Sequence, residues 1–285
     1  MPYQSAFRPG LFRDRVVIVT GAGSGIGRCC AHELAALGAH VVLLGRRADK
    51  LQAVEDEIRA DAGSAGHAVC DIRDEDAVRA TVAAVAAARG RIDGLVNNAG
   101  GQFPAPLAEI SLKGWQAVVS TNLTGGFLVA RECYVQSMRA HGGAIVNMVA
   151  DFWNGMPGMG HSGAARAGML NLTETAACEW APVRVNAVAP GWIASSGLDT
   201  YPAAMQAAIR GLPRHTPAQR LGTEAEVSAA VVFLLSEAAA FVSGTCLRVD
   251  GGAPTARRHW PLQGGEPSPA FDGFHRGRRP RVLGD

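Results

Sequence analysis

The sequence predicts a single-domain α/β protein, doubly wound around a seven-stranded parallel sheet. Three observations carry that expectation. Short strand-like runs alternate with helical stretches, the pattern of successive βαβ units. The runs are apolar throughout, as strands covered on both faces must be. The chain has 285 residues, 48% hydrophobic and 18% charged, which suits one large domain with a complete core and excludes a mainly disordered chain.

The elements follow in order. Val16 to Val19 is a β-branched run, followed by a glycine-rich turn and a helix to Leu37-Gly38. His40 to Leu44 is the second strand and Ala48 to Ala60 the second helix. Ala65 to Val69 reads as a third strand, Asp74 to Arg89 as a third helix, and Leu95-Val96 ends a fourth strand. Gly143 to Asn147, Val183 to Val188 and Cys246 to Val249 complete the sheet. Gly191 to Arg220 mixes Pro, Gly and Ser with apolar residues and reads as a lid over a site. Residues 1–252 form the catalytic domain, and 253–285, rich in Pro, Gly and Arg, an extended tail that is either mobile or packed on a neighbouring subunit.

Charge and composition exclude several classes. Net charge is +2, from 27 basic and 25 acidic residues, which argues against nucleic acid as the main partner. No run of apolar residues is long enough to span a membrane, and Met1 to Gly10 has no secretory core. The six cysteines form no Cys-x-x-Cys pair and read as small buried side chains in a reducing, cytoplasmic setting. No local cluster of Cys, His and carboxylates has metal-ligand spacing.

The chemistry begins after the first strand. Thr20-Gly21-Ala22-Gly23-Ser24-Gly25-Ile26-Gly27 turns directly into a helix. Glycines 21, 25 and 27 allow a tight turn, close approach to a pyrophosphate and close helix–strand packing. The free N–H groups and positive end of the helix dipole suit phosphates. The second strand ends Gly45-Arg46-Arg47, with no carboxylate for a ribose 2′-hydroxyl; Asp49 lies too far along. Arginines there pair with a 2′-phosphate, so NADP(H) is favoured over NAD(H).

Further motifs fall in order: Asp71 after strand three, Asn97-Asn98-Ala99-Gly100 after strand four, Asn122 in Thr-Asn-Leu-Thr, and Pro190-Gly191 after strand six. Over roughly Leu11 to Gly252 the chain resembles the short-chain dehydrogenase/reductases, which implies a Rossmann-type fold. The resemblance implies that Asp71, with Ile72, meets the adenine and that Asn98, Ala99 and Gly100 flank the cofactor. It also implies that Pro190, Gly191, Ile193 and Ser195 hold the nicotinamide carboxamide. It further implies a homotetramer built through the helix after Leu107 and the helix beginning near Ser162.

The sequence departs from that family at the reaction centre. Most members carry an Asn-Ser-Tyr-Lys set, with Tyr-x-x-x-Lys on the helix after strand five. Here Ser162 falls at the tyrosine, Arg166 at the lysine, and Val149-Ala150 near the serine; Asn122 is kept. A serine hydroxyl is a poor base without an activating neighbour, and arginine stays protonated. Reduction of an activated C=C bond asks only for donors at a developing enolate oxygen and a proton for the α-carbon. Asn122, Ser162 and Arg166 are the expected donors, Arg166 also binding the cofactor ribose; His161 and Asp151 are the expected proton sources.

Asn97 to Phe103, Lys113-Gly114-Trp115, Thr121 to Gly125 and His161 to Gly168 are similar to the peroxisomal trans-2-enoyl-CoA reductase branch. The 2,4-dienoyl-CoA reductases are more distant relatives. Gly191 to Gly197 is similar to bacterial citronellol/citronellal dehydrogenase-like members. The end, Val282-Leu283-Gly284-Asp285, lacks a Ser-Lys-Leu signal, which fits a cytoplasmic home. Phe152, Trp153, Met156, Pro157 and Met159, with Trp192, Ile193, Tyr201 and Met205 of the lid, suit an apolar acyl or terpenoid chain. Arginines 210, 214, 220, 257 and 258 are candidates for a CoA phosphate, against the plainer reading of solvated charge. The expected activity is NADPH-dependent reduction of a trans-2-enoyl-CoA-like substrate. The alternatives are dehydrogenation of a branched alcohol such as citronellol, and a silent NADP(H)-binding scaffold.

Overall fold

The computed structural model describes residues 2–255 and 266–284, so Arg257 and Arg258 lie outside the described residues. In chain order the elements are β1 (Val16–Thr20), α1 (Gly25–Ala36), β2 (His40–Gly45), α2 (Ala48–Ala60), β3 (Ser64–Val69), α3 (Glu75–Arg89) and β4 (Gly94–Asn97). Then come α4 (Leu112–Val119), α5 (Gly126–Cys133), α6 (Arg139–His141), β5 (Ala144–Met148), α7 (Gly160–Glu179) and β6 (Arg184–Pro190). The last are α8 (Gln206–Gly211), α9 (Glu224–Leu235) and β7 (Cys246–Val249). Every pairing is parallel, in the order β3-β2-β1-β4-β5-β6-β7. The chain leaves β3 at one edge and re-enters beside β1 with β4. That reversal opens a crevice at the carboxyl ends of β1 and β4, where ligands of such sheets bind.

Strand periodicity sorts the core into two layers. Val17 and Val19 of β1 point to one face, with α1, α2 and α9, while Val16 and Ile18 point to the other, with α3, α5 and α7. Both faces are buried, which is why the strands read as unbroken apolar runs. Five strands run past their expected ends, β1, β2, β4 and β5 by one residue and β6 by two: Met148 pairs with Val188, and Pro190 with Val249. Pro190 has no N–H to give and closes its strand. Among the described residues no helix is long and apolar enough to cross a membrane.

The lid is more ordered than its composition indicates. It holds 3₁₀ turns at Ser196–Thr200, Ala203–Met205 and Leu212–His215 around α8. Leu198, Ile209 and Leu221 form a small core of their own, closed by Val282 of the tail. The described part of the tail, 266–284, packs against its own chain. Phe274 is buried beside Tyr3 and Cys29, with the Arg28 guanidinium 5.2 Å over its ring. Arg276 takes both oxygens of Asp61 at 2.9 and 3.0 Å, and His275 meets the same carboxylate at 2.8 Å.

Candidate active site

The glycine turn sits at the carboxyl end of β1. Gly21 has φ +66°, and a Cβ on it would lie 2.9 Å from Ala99 Cα. A Cβ on Gly27 would lie 2.5 Å from both Asn98 Nδ2 and the Gly21 carbonyl, so these positions admit only glycine. Thr20 knits the turn to the end of β4: its hydroxyl accepts from the N–H groups of Asn98 and Ala99, both at 2.9 Å, and Asn98 Nδ2 donates to the Thr20 carbonyl at 3.0 Å. Ser24 precedes α1 and makes no side-chain cap, leaving the first N–H groups of the helix turned to the crevice. That is the cradle a dinucleotide diphosphate needs.

Around the cradle, Arg46 and Arg47 are exposed at the end of β2. Asp71 is held by Arg73 (Nε to Oδ1 2.9 Å, Nη2 to Oδ2 2.5 Å), which pulls its carboxyl down to about 2. Ile72 is buried, and a Cβ on Gly125 would strike it, so it packs beneath the site. Ile193 is buried and pairs with Gly222; Gly191 passes so near Asp250 that a Cβ would lie 2.9 Å from its Cα. Ser195 donates its N–H to the Ile193 carbonyl at 2.8 Å, which turns the chain into the lid. Glycine spacing does not reveal Glu224, at the start of α9. Its Oε1 lies 3.9 Å from a Cβ position on Gly25, and burial pushes its carboxyl up to about 7.

The candidate reaction centre lies where β4, β5 and α7 meet. A π-helical segment, Ser120–Gly125, separates α4 from α5 and buries Asn122. The Asn122 amide grips Gly101, accepting its N–H at 2.9 Å and donating to its carbonyl at 2.9 Å. The expected donor to substrate is therefore engaged as a strut for residues 100–102. Arg166 crosses the same space. One N–H group donates to the Met148 carbonyl, another lies against Gly100, and its buried Nε has no partner among the described residues. Burial, with no facing carboxylate, lowers its pKa to about 10.

Ser162 is fully buried and does not cap its helix; its hydroxyl donates to Gln102 Oε1 at 2.7 Å. The Ser162 N–H donates to His161 Nδ1 at 2.9 Å, which leaves the proton of a neutral imidazole on Nε2, buried and without a partner among the described residues. The Phe103 ring stands edge-on to His161, 4.4 Å between centroids. Asp151 belongs to a different neighbourhood, facing Asp250 and Arg248 at the end of β7. Burial, then the Asp250 charge, raises its pKa. Phe152 and Trp153 stack at 4.6 Å, with Arg248 over the Trp153 ring.

The arginines proposed for a CoA phosphate divide. Arg220 is locked to Glu226 at 2.6 and 2.9 Å, whereas Arg214 is exposed. Arg210 and Arg220 border a cavity of about 800 Å³ between lid and tail, beside Arg278 and Arg279 of the tail, which the sequence reading did not single out.

Comparison with known proteins agrees with this architecture. The family described as Enoyl-(Acyl carrier protein) reductase matches residues 21–254. The citronellol catabolism dehydrogenase AtuB of Pseudomonas aeruginosa PAO1 is 61% identical, with TM-score 0.80, over 88% of this chain and 99% of that one. A structure described as an NAD(P)-dependent gluconate 5-dehydrogenase from Beutenbergia cavernae, with NADP bound at low occupancy, is 37% identical with TM-score 0.81, over 87% of this chain and 100% of that one. The peroxisomal 2,4-dienoyl-CoA reductase of Pongo abelii is 36% identical over 88% of this chain and 87% of its own length. With the glycine cradle, the parallel sheet and these relatives in agreement, the chain belongs to the short-chain dehydrogenase/reductase family of NAD(P)-binding oxidoreductases.

Proposed function

We propose that the protein uses NADPH to reduce a carbon–carbon double bond conjugated to a thioester, as in a trans-2-enoyl-CoA with a long or branched apolar chain. One observation carries the reading. The head of α7 presents a serine where a tyrosine base would stand, and four residues on a buried guanidinium without counter-charge. Alcohol oxidation needs a base whose pKa lies near the working pH. Ser162 has no activating neighbour, and Arg166, even at about 10, is a cation near neutrality. Such a site is suited to an oxygen that becomes negative, and places no base to take a hydroxyl proton.

When bound, the reduced nicotinamide supplies the hydride. Gly21 and Ser24 to Gly27 receive the diphosphate, Arg46 and Arg47 the 2′-phosphate, and Asp71 with Ile72 borders the adenine. Asn98, Ala99 and Gly100 flank the ribose, and Pro190, Gly191, Ile193 and Ser195 line the carboxamide. Arg166 spans ribose and substrate oxygen with its unspent N–H groups. Asn122 holds the 100–102 turn in place. His161 offers the N–H of Nε2 as a hydrogen-bond donor, while Asp151, its pKa raised by burial and the Asp250 charge, stands apart at the end of β7. Phe152, Trp153 and Trp192 exclude water from an apolar chain.

The 2,4-dienoyl-CoA reductase relatives support this reading. A second reading, dehydrogenation of a branched aliphatic alcohol or aldehyde, is favoured by the 61% identity to the citronellol catabolism protein. We also infer a cytoplasmic homotetramer, whose contacts would cover the exposed Leu107 and Leu112. The test is NADPH consumption with a medium-chain trans-2-enoyl-CoA, beside NADH and a citronellol panel. Turnover of the enoyl thioester with NADPH is the expected result. Turnover of the alcohol alone favours the second reading, and tight NADPH binding with no turnover favours a silent scaffold.

A further inference from the structure

The hydroxyl of Tyr201 lies in the reaction centre although the residue belongs to the lid. Gln102 Nε2 donates to it at 2.9 Å, and the Gln102 carbonyl accepts from the buried Ser162 hydroxyl at 2.7 Å. The amide turns its oxygen to Ser162 and its nitrogen to Tyr201. Gln102 is held in turn by its neighbour Gly101, clamped in both directions by Asn122. The phenol therefore receives a hydrogen bond on its oxygen and cannot spend its own proton on Gln102. Among the described residues that proton faces only the Met159 thioether, 3.9 Å away and a weak acceptor. Trp192, two residues beyond Pro190, stands 6.3 Å from the Tyr201 ring. Tyr201 is only partly buried, so a substrate in the cleft can reach its hydroxyl.

We propose that Tyr201 is a catalytic residue that donates its O–H to the substrate oxygen gaining negative charge, and that Gln102 is a positioning residue that aims it. The proposal rests on the reductase reading only for the identity of the acceptor. On an enoyl thioester, a hydride from the reduced nicotinamide bonds to the β-carbon. The Cα=Cβ π bond breaks, and its electron pair reaches the thioester oxygen, where the Tyr201 O–H stabilises it. The α-carbon then takes one proton, ultimately from water, and the carbonyl re-forms. The substrate gains one hydride and one proton, and the nicotinamide is oxidised. In the alcohol–aldehyde reaction the same O–H would face the alkoxide oxygen. The lid would thus deliver from the opposite wall the hydroxyl that α7 lacks at Ser162.

The test is steady-state kinetics of Tyr201→Phe, which removes only the hydroxyl, on the substrate class that the wild-type enzyme turns over. We expect kcat to fall about 100-fold, the scale of one donor at a developing oxyanion, with KM and NADPH affinity nearly unchanged. Gln102→Leu is expected to lower kcat about tenfold, and the double variant to be no slower than Tyr201→Phe alone, because both act through one group. Unchanged kcat in Tyr201→Phe, or a change in KM only, returns Tyr201 to a wall of the pocket and overturns the proposal. Wild-type turnover of a branched alcohol but not of an enoyl thioester overturns the earlier reading alone, and Tyr201→Phe is then judged on the alcohol. A wild-type enzyme inactive toward both overturns both.

Discussion

A carboxyl group beside a phosphate site must be neutral if it is not to repel the ligand, and Glu224 shows how burial achieves this. Its carboxyl, near the Gly25 turn, is pushed up to about 7 by burial, against the partial relief of Arg28. Below that pH the group is neutral and tolerates a diphosphate; above it, two negative charges share the cradle. NADPH affinity is therefore expected to fall as pH rises through about 7, by roughly fivefold, or ~1 kcal/mol, the scale of a like-charge interaction in partly solvated space. Glu224→Gln should flatten that profile, which fluorescence titration from pH 6 to 8 would measure; an unchanged slope assigns the dependence elsewhere. Arg46 provides a second contrast at this scale. If it reads a 2′-phosphate, Arg46→Ala weakens NADPH tenfold or more and leaves NADH nearly unaffected; equal losses remove that role. Arg46 stands exposed at the end of β2, where the sequence places a charge, and the glycine turn was legible because its conformational requirement is visible in sequence. Glu224 was not, because a glutamate at a helix start reads as an ordinary dipole partner until burial is known.

Lid and tail form one unit assembled from distant residues. Leu198, Ile209 and Leu221 pack with Trp192, Tyr201, Met205 and Leu212 of the lid, and Val282 of the tail joins that core. Val282→Ala should therefore cost about 1–2 kcal/mol and loosen the lid before the sheet, seen as faster amide exchange at 198–212 with little change at β1 or β5. The tail is also tied at Asp61. Hydrogen bonds from Arg276, then from His275, hold this carboxyl below its ordinary range. A carboxylate depressed in the folded state contributes stability above its unfolded pKa and loses it as pH falls through the folded value. The clasp is thus intact at neutral pH and released only as pH falls below the ordinary carboxylate range, so exchange at 271–284 should rise in that acid range ahead of global unfolding. Simultaneous exchange of tail and core would show that the clasp has no separate stability. A charge-rich C-terminal stretch reads as extended because its apolar anchors, Phe274 and Val282, are too sparse to show a period.

At the scale of the whole molecule, the sheet was legible and the reaction centre only half so, for one physical reason. Apolar strand runs and breaker-bounded helices are local, and α2 and β7 fall where the pattern places them. The site depends on pairings that sequence does not display: Gln102 and Tyr201 are 99 residues apart, and Asn122 reaches Gly101 through a π-helical segment. On the proposal above, the lid, the 100–102 turn and α7 together supply the centre whose usual tyrosine and lysine are absent. That predicts the outcome of restoring them. A tyrosine at 162 has to fit a fully buried position, with Gln102 across from it and, beside it, His161 pinned by the edge of Phe103. Overpacking of this kind costs about 1–3 kcal/mol, and the change also removes the hydroxyl that orients Gln102. Arg166→Lys gives up either the bond to the Met148 carbonyl or the cover over Gly100, since an ammonium cannot span both. The Ser162→Tyr/Arg166→Lys variant is therefore expected to melt several degrees lower and to lose reductase turnover without gaining alcohol dehydrogenation. Calorimetry and the two assays run side by side would measure this. A gain in alcohol oxidation at unchanged stability would mean that the ordinary centre still fits, and that Gln102 and Tyr201 have not replaced it.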